Sequence, residues 1–117
     1  MNALNTPAGD NEAAQLAVLR LLAKQPAMSQ RELSAALGLS LGKTHYVLHA
    51  LLDRGLVKAS NFRRSDSKLA YAYMLTPSGF GRKLQLTRSF LARKEAEYDQ
   101  LQHAIAALKS ELSDGAP

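Results

Sequence analysis

The stretch Ser29–Val57, SQRELSAALGLSLGKTHYVLHALLDRGLV, decides how this chain folds, because it spells two short helices joined by a tight turn. Ser29 stands where an N-cap belongs, its hydroxyl placed to accept an orphan backbone N–H, and Glu32 three residues on completes a capping box. Leu33, Ala36 and Leu37 then fall at the i, i+3, i+4 spacing of a core-facing helix. Gly38 ends that helix, since glycine enters the left-handed conformation without a steric penalty. Leu39 is expected as a buried turn residue, and Ser40 caps a second helix over residues 40–54. Along this second helix Thr44, Val47, Leu48, Leu51 and Leu52 share one side, leaving Gly42, Lys43, His45, Tyr46 and His49 on the other. The outer side therefore carries hydrogen-bonding groups, a cation and an aromatic ring. A helix so equipped fits the major groove of B-form DNA, about 12 Å wide, with its N-terminal half at the base edges.

Outward from this unit, residues 1–10 read as a polar, flexible tail. Residues 11–24 read as a helix that Ala14, Leu16, Ala17, Val18, Leu19, Leu21 and Leu22 make apolar around much of its circumference. Either it packs under the helix pair, or one side also meets a partner subunit. On the other flank Gly55 and Arg54 close the second helix, Arg54 complementing the helix dipole. Residues 56–62 and 68–75 follow as the strands of a β-hairpin. In the second strand Leu69, Tyr71, Tyr73 and Leu75 alternate with Ala70, Ala72 and Met74, the period of a half-buried strand. Thr76 caps the last helix and Pro77 takes its first position, where a missing N–H costs nothing. From there no proline interrupts residues 77–112, which leave a long helix followed by a tail over 113–117. Written in heptads, Leu84, Leu91, Tyr98, Ile105 and Leu112 fall on one seam position; Phe80, Thr87, Lys94, Leu101 and Leu108 fall on the other. The first seam is apolar throughout and the second fails at Thr87 and Lys94, so a coiled-coil-like dimerisation helix is expected, weaker in its middle. Its contacts are assigned to Phe80, Leu84, Leu91, Tyr98, Leu101, Ile105, Leu108 and Leu112.

Three pieces, SQRELSAALGLSLGKTHYVLHALLDRGLVKASNF, YAYMLTPSG and LTRSFLARKEAEY, together resemble the winged helix-turn-helix transcriptional regulators of the MarR type. The resemblance is to the small branch associated with exopolysaccharide gene clusters, and it covers about residues 29–98. It implies a mainly α fold with a small β-hairpin wing, a winged helix-turn-helix followed by a long C-terminal dimerisation helix. It also implies that the polar hairpin tip RRSDS is the wing, with Asn61, Arg63, Arg64 and Lys68 on the minor groove or flanking phosphates. MarR-type proteins usually hold a small-molecule effector between the winged domain and the dimerisation helices. A single helix after the wing leaves this shorter chain little with which to enclose one.

Composition agrees with a polyanionic partner. The 117 residues carry a formal net charge of +5, and between Ser29 and Pro77 seven Lys or Arg face three acids, so the excess sits on the helix pair and hairpin. There is no cysteine, hence neither a disulfide framework nor a thiolate metal site. The N-terminus lacks the basic start and apolar core of a signal peptide, and no apolar run is long enough to span a membrane, so a cytoplasmic location is expected. His45 and His49, four apart, have a spacing that can hold a metal ion, but no third ligand stands near them and no metal or other cofactor is assigned. No phosphate-cradling glycine loop, HExxH or nucleophile motif is present, which argues against an enzyme. The expected activity is binding of double-stranded DNA as a homodimer. Ser29, Gln30 and Ser40 would lie on phosphates, and Lys43, His45, Tyr46 and His49 on base edges or phosphates. Gly42 would be kept bare for close approach. The competing readings are a winged-helix module that binds protein, and a nucleic-acid binder without sequence preference.

Overall fold

The computed structural model describes residues 8–63 and 69–115. Its elements run α1 (Ala8–Lys24), α2 (Gln30–Leu37), α3 (Leu41–Asp53), β1 (Val57–Arg63), β2 (Leu69–Leu75) and α4 (Pro77–Asp114). Mainly helical with one antiparallel hairpin, the chain has the fold class its sequence implies. The boundaries differ in small ways. Helix α1 begins at Ala8 rather than residue 11 and α4 continues to Asp114, while both strands start one residue later than alternation suggested. The chain divides after Leu86 into two units, the first of which takes in the opening turns of α4.

Helix α2 opens as its sequence demands: Glu32 N–H donates to Ser29 Oγ at 3.1 Å, and Ser29 N–H donates to Glu32 Oε1 at 2.9 Å. Gly38 follows in the left-handed region at φ 67°. Ser40 caps α3 through its Oγ, which accepts from Lys43 N–H at 3.0 Å. At the far end of α3 the Leu56 N–H reaches Leu51 O and the Gly55 N–H reaches Leu52 O, the paired bonds of a Schellman motif. Gly55 supplies the left-handed residue that this motif needs, at φ 69°.

The core of the first unit gathers Leu16, Val18, Leu19 and Leu22 of α1 with Leu33 of α2, Val47, Leu48 and Leu51 of α3, and Leu86 of α4. Helix α1 packs on α2, α3 and β2, so most of its broad apolar surface is used inside its own unit. The inner face of α2 corrects the expected stripe. Ala36 is exposed and Leu39 only half-buried, while Ser34 is buried. Burying a serine requires a partner, and Ser34 Oγ donates to the fully buried Thr44 Oγ1 at 2.8 Å. Thr44 passes its own proton to Ser40 O at 2.9 Å. Three groups on α2, the turn and α3 are thereby satisfied in sequence, and removing one would leave another unpaired at about 1–3 kcal/mol.

The hairpin pairs Val57 with Leu75 through to Arg63 with Leu69. Ala72 and Leu75 are buried, Tyr71 is exposed, and Tyr73 and Met74 are half-buried, so burial along the strand departs from the strict alternation expected. Tyr73 N–H also donates to Met28 O at 3.0 Å, which ties the segment before α2 to the sheet. Thr76 joins hairpin to α4. Its N–H donates to Leu56 O at 3.1 Å, its Oγ1–H to Gly55 O at 2.6 Å, and its Oγ1 accepts from Gly79 N–H at 3.0 Å. Arg82 on the next turn bridges to Glu12 of α1 at 3.6 Å and to Gln85 at 2.9 Å.

Two glycines of α4 should answer substitution with opposite signs. A Cβ on Gly79 would run into the Leu56 carbonyl oxygen and sit 2.7 Å from Leu75 Cδ2, whereas one on Gly81 meets nothing within 4 Å. Gly79→Ala should cost about 2 kcal/mol or more by overpacking, and Gly81→Ala should stabilise by up to about 1 kcal/mol. Urea denaturation of the two variants beside the parent protein measures both.

Candidate nucleic-acid interface

The caps and the hydroxyl relay fix which side of α3 is free. With Thr44, Val47, Leu48 and Leu51 buried, residues Leu41, Gly42, His45, Tyr46 and His49 are exposed. The His45 and His49 rings lie 4.1 Å apart between centroids, tilted by 55°. Gln30, the first residue of α2, reaches this face: its Nε2–H donates to Leu41 O at 3.3 Å and its Oε1 lies 3.4 Å from His45 Nδ1. Lys43 departs from the expected outer row. It is half-buried, its ammonium donates to Asn11 Oδ1 of α1 at 3.5 Å, and it stands 5.6 Å from the centre of the Tyr46 ring. The cation is thus held at the edge of the face, beside α1.

Ser29 and Ser40 stand at the N-termini of α2 and α3, where unpaired N–H groups concentrate partial positive charge suited to an anion. Each hydroxyl oxygen already accepts a capping N–H, and its O–H is the group that can donate to an outside anion. Asn61 is exposed on β1 and pairs in register with Tyr71, itself 62% exposed. Arg63 is the last residue of β1, but its side chain, like Arg64 and Lys68 whole, lies outside the described residues. The geometry brings together Ser29, Gln30, Ser40, Gly42, His45, Tyr46 and His49, with Lys43 at the margin.

Two exposed side chains were not singled out by the sequence. Leu41 leads α3 at 44% exposure, and its signal was an apolar residue on an otherwise polar row. Arg31, exposed on α2, is the second residue after the Ser29 cap and adds a cation next to Gln30. Among the described residues no group of three or more His, Cys, Asp or Glu could hold a metal ion, and none of the described helices is long and apolar enough to cross a membrane.

On α4 the heptad residues are uncovered. Phe80 and Leu84 belong to the first unit, and Leu91, Tyr98, Leu101, Ile105, Leu108 and Leu112 to the second. All eight are exposed in the single chain, from 43% at Ile105 to 77% at Leu112. At the weak middle of the seam Phe90 is half-buried, with the Arg93 guanidinium 4.3 Å from its ring centre.

Residues 12–58 match a protein-family model described as winged helix-turn-helix DNA-binding, a stretch that holds most of α1 and all of α2 and α3. Among solved structures the chain is similar to a PadR-like transcriptional regulator from Bacillus cereus, at 17% identity and a TM-score of 0.69, over 75% of this chain and 90% of that one. It is similar to the transcriptional repressor CouR bound to a 23-mer DNA duplex, at 28% identity and a TM-score of 0.61, over 89% and 73%. It is also similar to a Staphylococcus aureus MarR in complex with salicylate and kanamycin, at 20% identity and a TM-score of 0.56, over 88% and 73%. Comparison with curated proteins found no match. The fold and the matched domain are those of DNA-binding regulators, not of enzymes.

Gly42 offers a direct probe of this face. Its absent Cβ would meet open space in the free protein, so Gly42→Ala should raise stability by about 1 kcal/mol. If a DNA backbone comes close there, the same variant should bind duplex DNA more weakly. Thermal unfolding and fluorescence anisotropy on one preparation would test the pairing of a more stable protein with a poorer binder.

Proposed function

We propose that the chain is a sequence-specific regulator of transcription that binds double-stranded DNA as a homodimer. The observation that carries this reading is the exposed face of α3, where Gly42, His45, Tyr46 and His49 are open to the outside while a hydroxyl relay and two caps hold the helix from behind. In this reading residues 11–76 form the DNA-binding domain and residues 77–112 the dimerisation helix. The face of α3 enters the major groove. Ser29, Gln30 and Ser40 lie toward phosphates, and the wing residues Asn61, Arg63, Arg64 and Lys68 extend the contact to the minor groove or flanking phosphates. The resemblance to the MarR-type branch of exopolysaccharide gene clusters supports such genes as targets.

Dimerisation is supported by the uncovered heptad residues of α4. A helix that leaves Leu91, Tyr98, Leu101, Ile105, Leu108 and Leu112 to water presents an apolar patch of the kind that marks an interaction surface. Pairing with a second copy would bury them, and two-fold symmetry would then call for a roughly palindromic site with half-sites about one helical turn apart, or a multiple.

Fluorescence anisotropy with a duplex from the protein's own upstream region, and a scrambled duplex of equal length, at two salt concentrations, tests the reading. The expected result is a preference of about 10³-fold or more for the natural duplex. Equal and steeply salt-dependent binding would indicate a nucleic-acid binder without sequence preference. No binding at low salt would favour a protein-interaction module.

The double variant Leu101→Asp, Ile105→Asp should sediment as a monomer and lose most of its affinity for a two-half-site duplex. Sedimentation of that variant as a stable dimer would contradict the dimerisation assignment.

A further inference from the structure

The contact between Gln30 and His45 decides a chemical question that residue names leave open, namely which imidazole nitrogen carries the proton. A backbone carbonyl can only accept, so the amide end of Gln30 that meets Leu41 O at 3.3 Å is its NH₂. The other end, Oε1, therefore faces His45 Nδ1 at 3.4 Å. That oxygen can also only accept, so the proton of the neutral imidazole sits on Nδ1 and the lone pair on Nε2. The His49 ring lies beside it, 4.1 Å away between centroids. His45 itself is exposed, and among the described residues its contact with Gln30 engages Nδ1, leaving Nε2 on the open side of the ring.

An acceptor at the surface of a recognition helix selects its counterpart. In the major groove cytosine presents the N4 amine and adenine the N6 amine, whereas guanine presents N7 and O6 and thymine presents O4, all acceptors. We propose that Gln30 is a positioning residue that holds His45 with its Nε2 lone pair toward DNA. His45 thereby favours an amine-bearing base, cytosine or adenine, over a keto base, guanine or thymine, on the strand that it reads. This rests on α3 being the recognition helix, as proposed above. It gives Gln30 a part in specificity without any contact of its own to a base.

The test is selection of binding sites from a randomised duplex pool at pH 8.5, about two units above the ordinary imidazole range. The parent protein, His45→Ala, Gln30→Ala and Gln30→Glu are compared, and affinities of the selected duplexes are measured by anisotropy. The parent should show one position per half-site at which cytosine or adenine is preferred about tenfold, the worth of one good hydrogen bond. His45→Ala should flatten that position and leave the others. Gln30→Ala should reduce the preference there to about threefold or less, because both tautomers become accessible. Gln30→Glu is the discriminating variant. Its carboxylate still accepts from Nδ1–H but cannot donate to Leu41 O, so the base preference should persist while overall affinity falls through added negative charge. If Gln30 merely clamped α2 to α3, Gln30→Glu and Gln30→Ala would behave alike, and that result would overturn the proposal. So would a His45-dependent position that prefers guanine or thymine, or a His45→Ala pattern identical to that of the parent. Equal binding of every sequence by the unsubstituted protein would remove the sequence-specific reading itself, and with it this inference.

Discussion

The arrangement rests on one relay of hydrogen bonds, from the buried Ser34 hydroxyl to the buried Thr44 hydroxyl to the backbone carbonyl of Ser40. A two-helix unit held only by leucines could slide, since apolar contacts are non-directional and tolerate many registers. A hydrogen bond across the interface, with Thr44 fully buried and Ser34 8% exposed, admits one register only. Any slip would strand a polar group away from water. The relay also ends on the carbonyl of the residue that caps α3. The relation of α2 to α3 and the start of α3 are thereby set by the same bonds, and with them the row of side chains that α3 shows to the outside.

A second constraint operates where hairpin and α4 meet. The turn around Gly55 and Leu56 is bonded by Thr76 through both backbone and hydroxyl, and Gly79 lies so close to Leu56 that no side chain can stand between them. The strand β2 cannot move along β1 without breaking this junction, because Val57 and Leu75 are its last pair. Helix α1 receives the opposite treatment. Its surface is broad and apolar, and it is held by burial against three elements, with the Arg82–Glu12 bridge at its margin.

The exposed residues divide by chemistry. Those around α3 are polar or aromatic with a few apolar atoms, suited to a wet and charged partner. Those beyond Leu86 on α4 form apolar rows at heptad spacing, interrupted at Thr87 and Lys94. The interruption coincides with Phe90, the one half-buried side chain among the described residues of that region, under the Arg93 guanidinium. An apolar ring that finds a cation on its own helix has less need of a second helix to cover it.

Local signals in the sequence were enough to place the helix-turn-helix. The capping box at Ser29, glycines at positions 38 and 55, the cap at Ser40 and the Thr76–Pro77 start of α4 are all short-range rules, satisfied within four or five residues of the group concerned. The buried side of α3 followed from periodicity alone. Tertiary structure decided what periodicity could not: that Ser34 rather than Ala36 belongs to the inner face of α2, that Lys43 turns toward Asn11, and that Gln30 reaches His45. Each of these depends on an atom from another element standing within hydrogen-bond distance. Spacing within one helix tells which residues share a face, but not which polar partner a neighbouring helix will bring to it, and it is that partner which determines whether a serine can be buried or a histidine fixed in one tautomer.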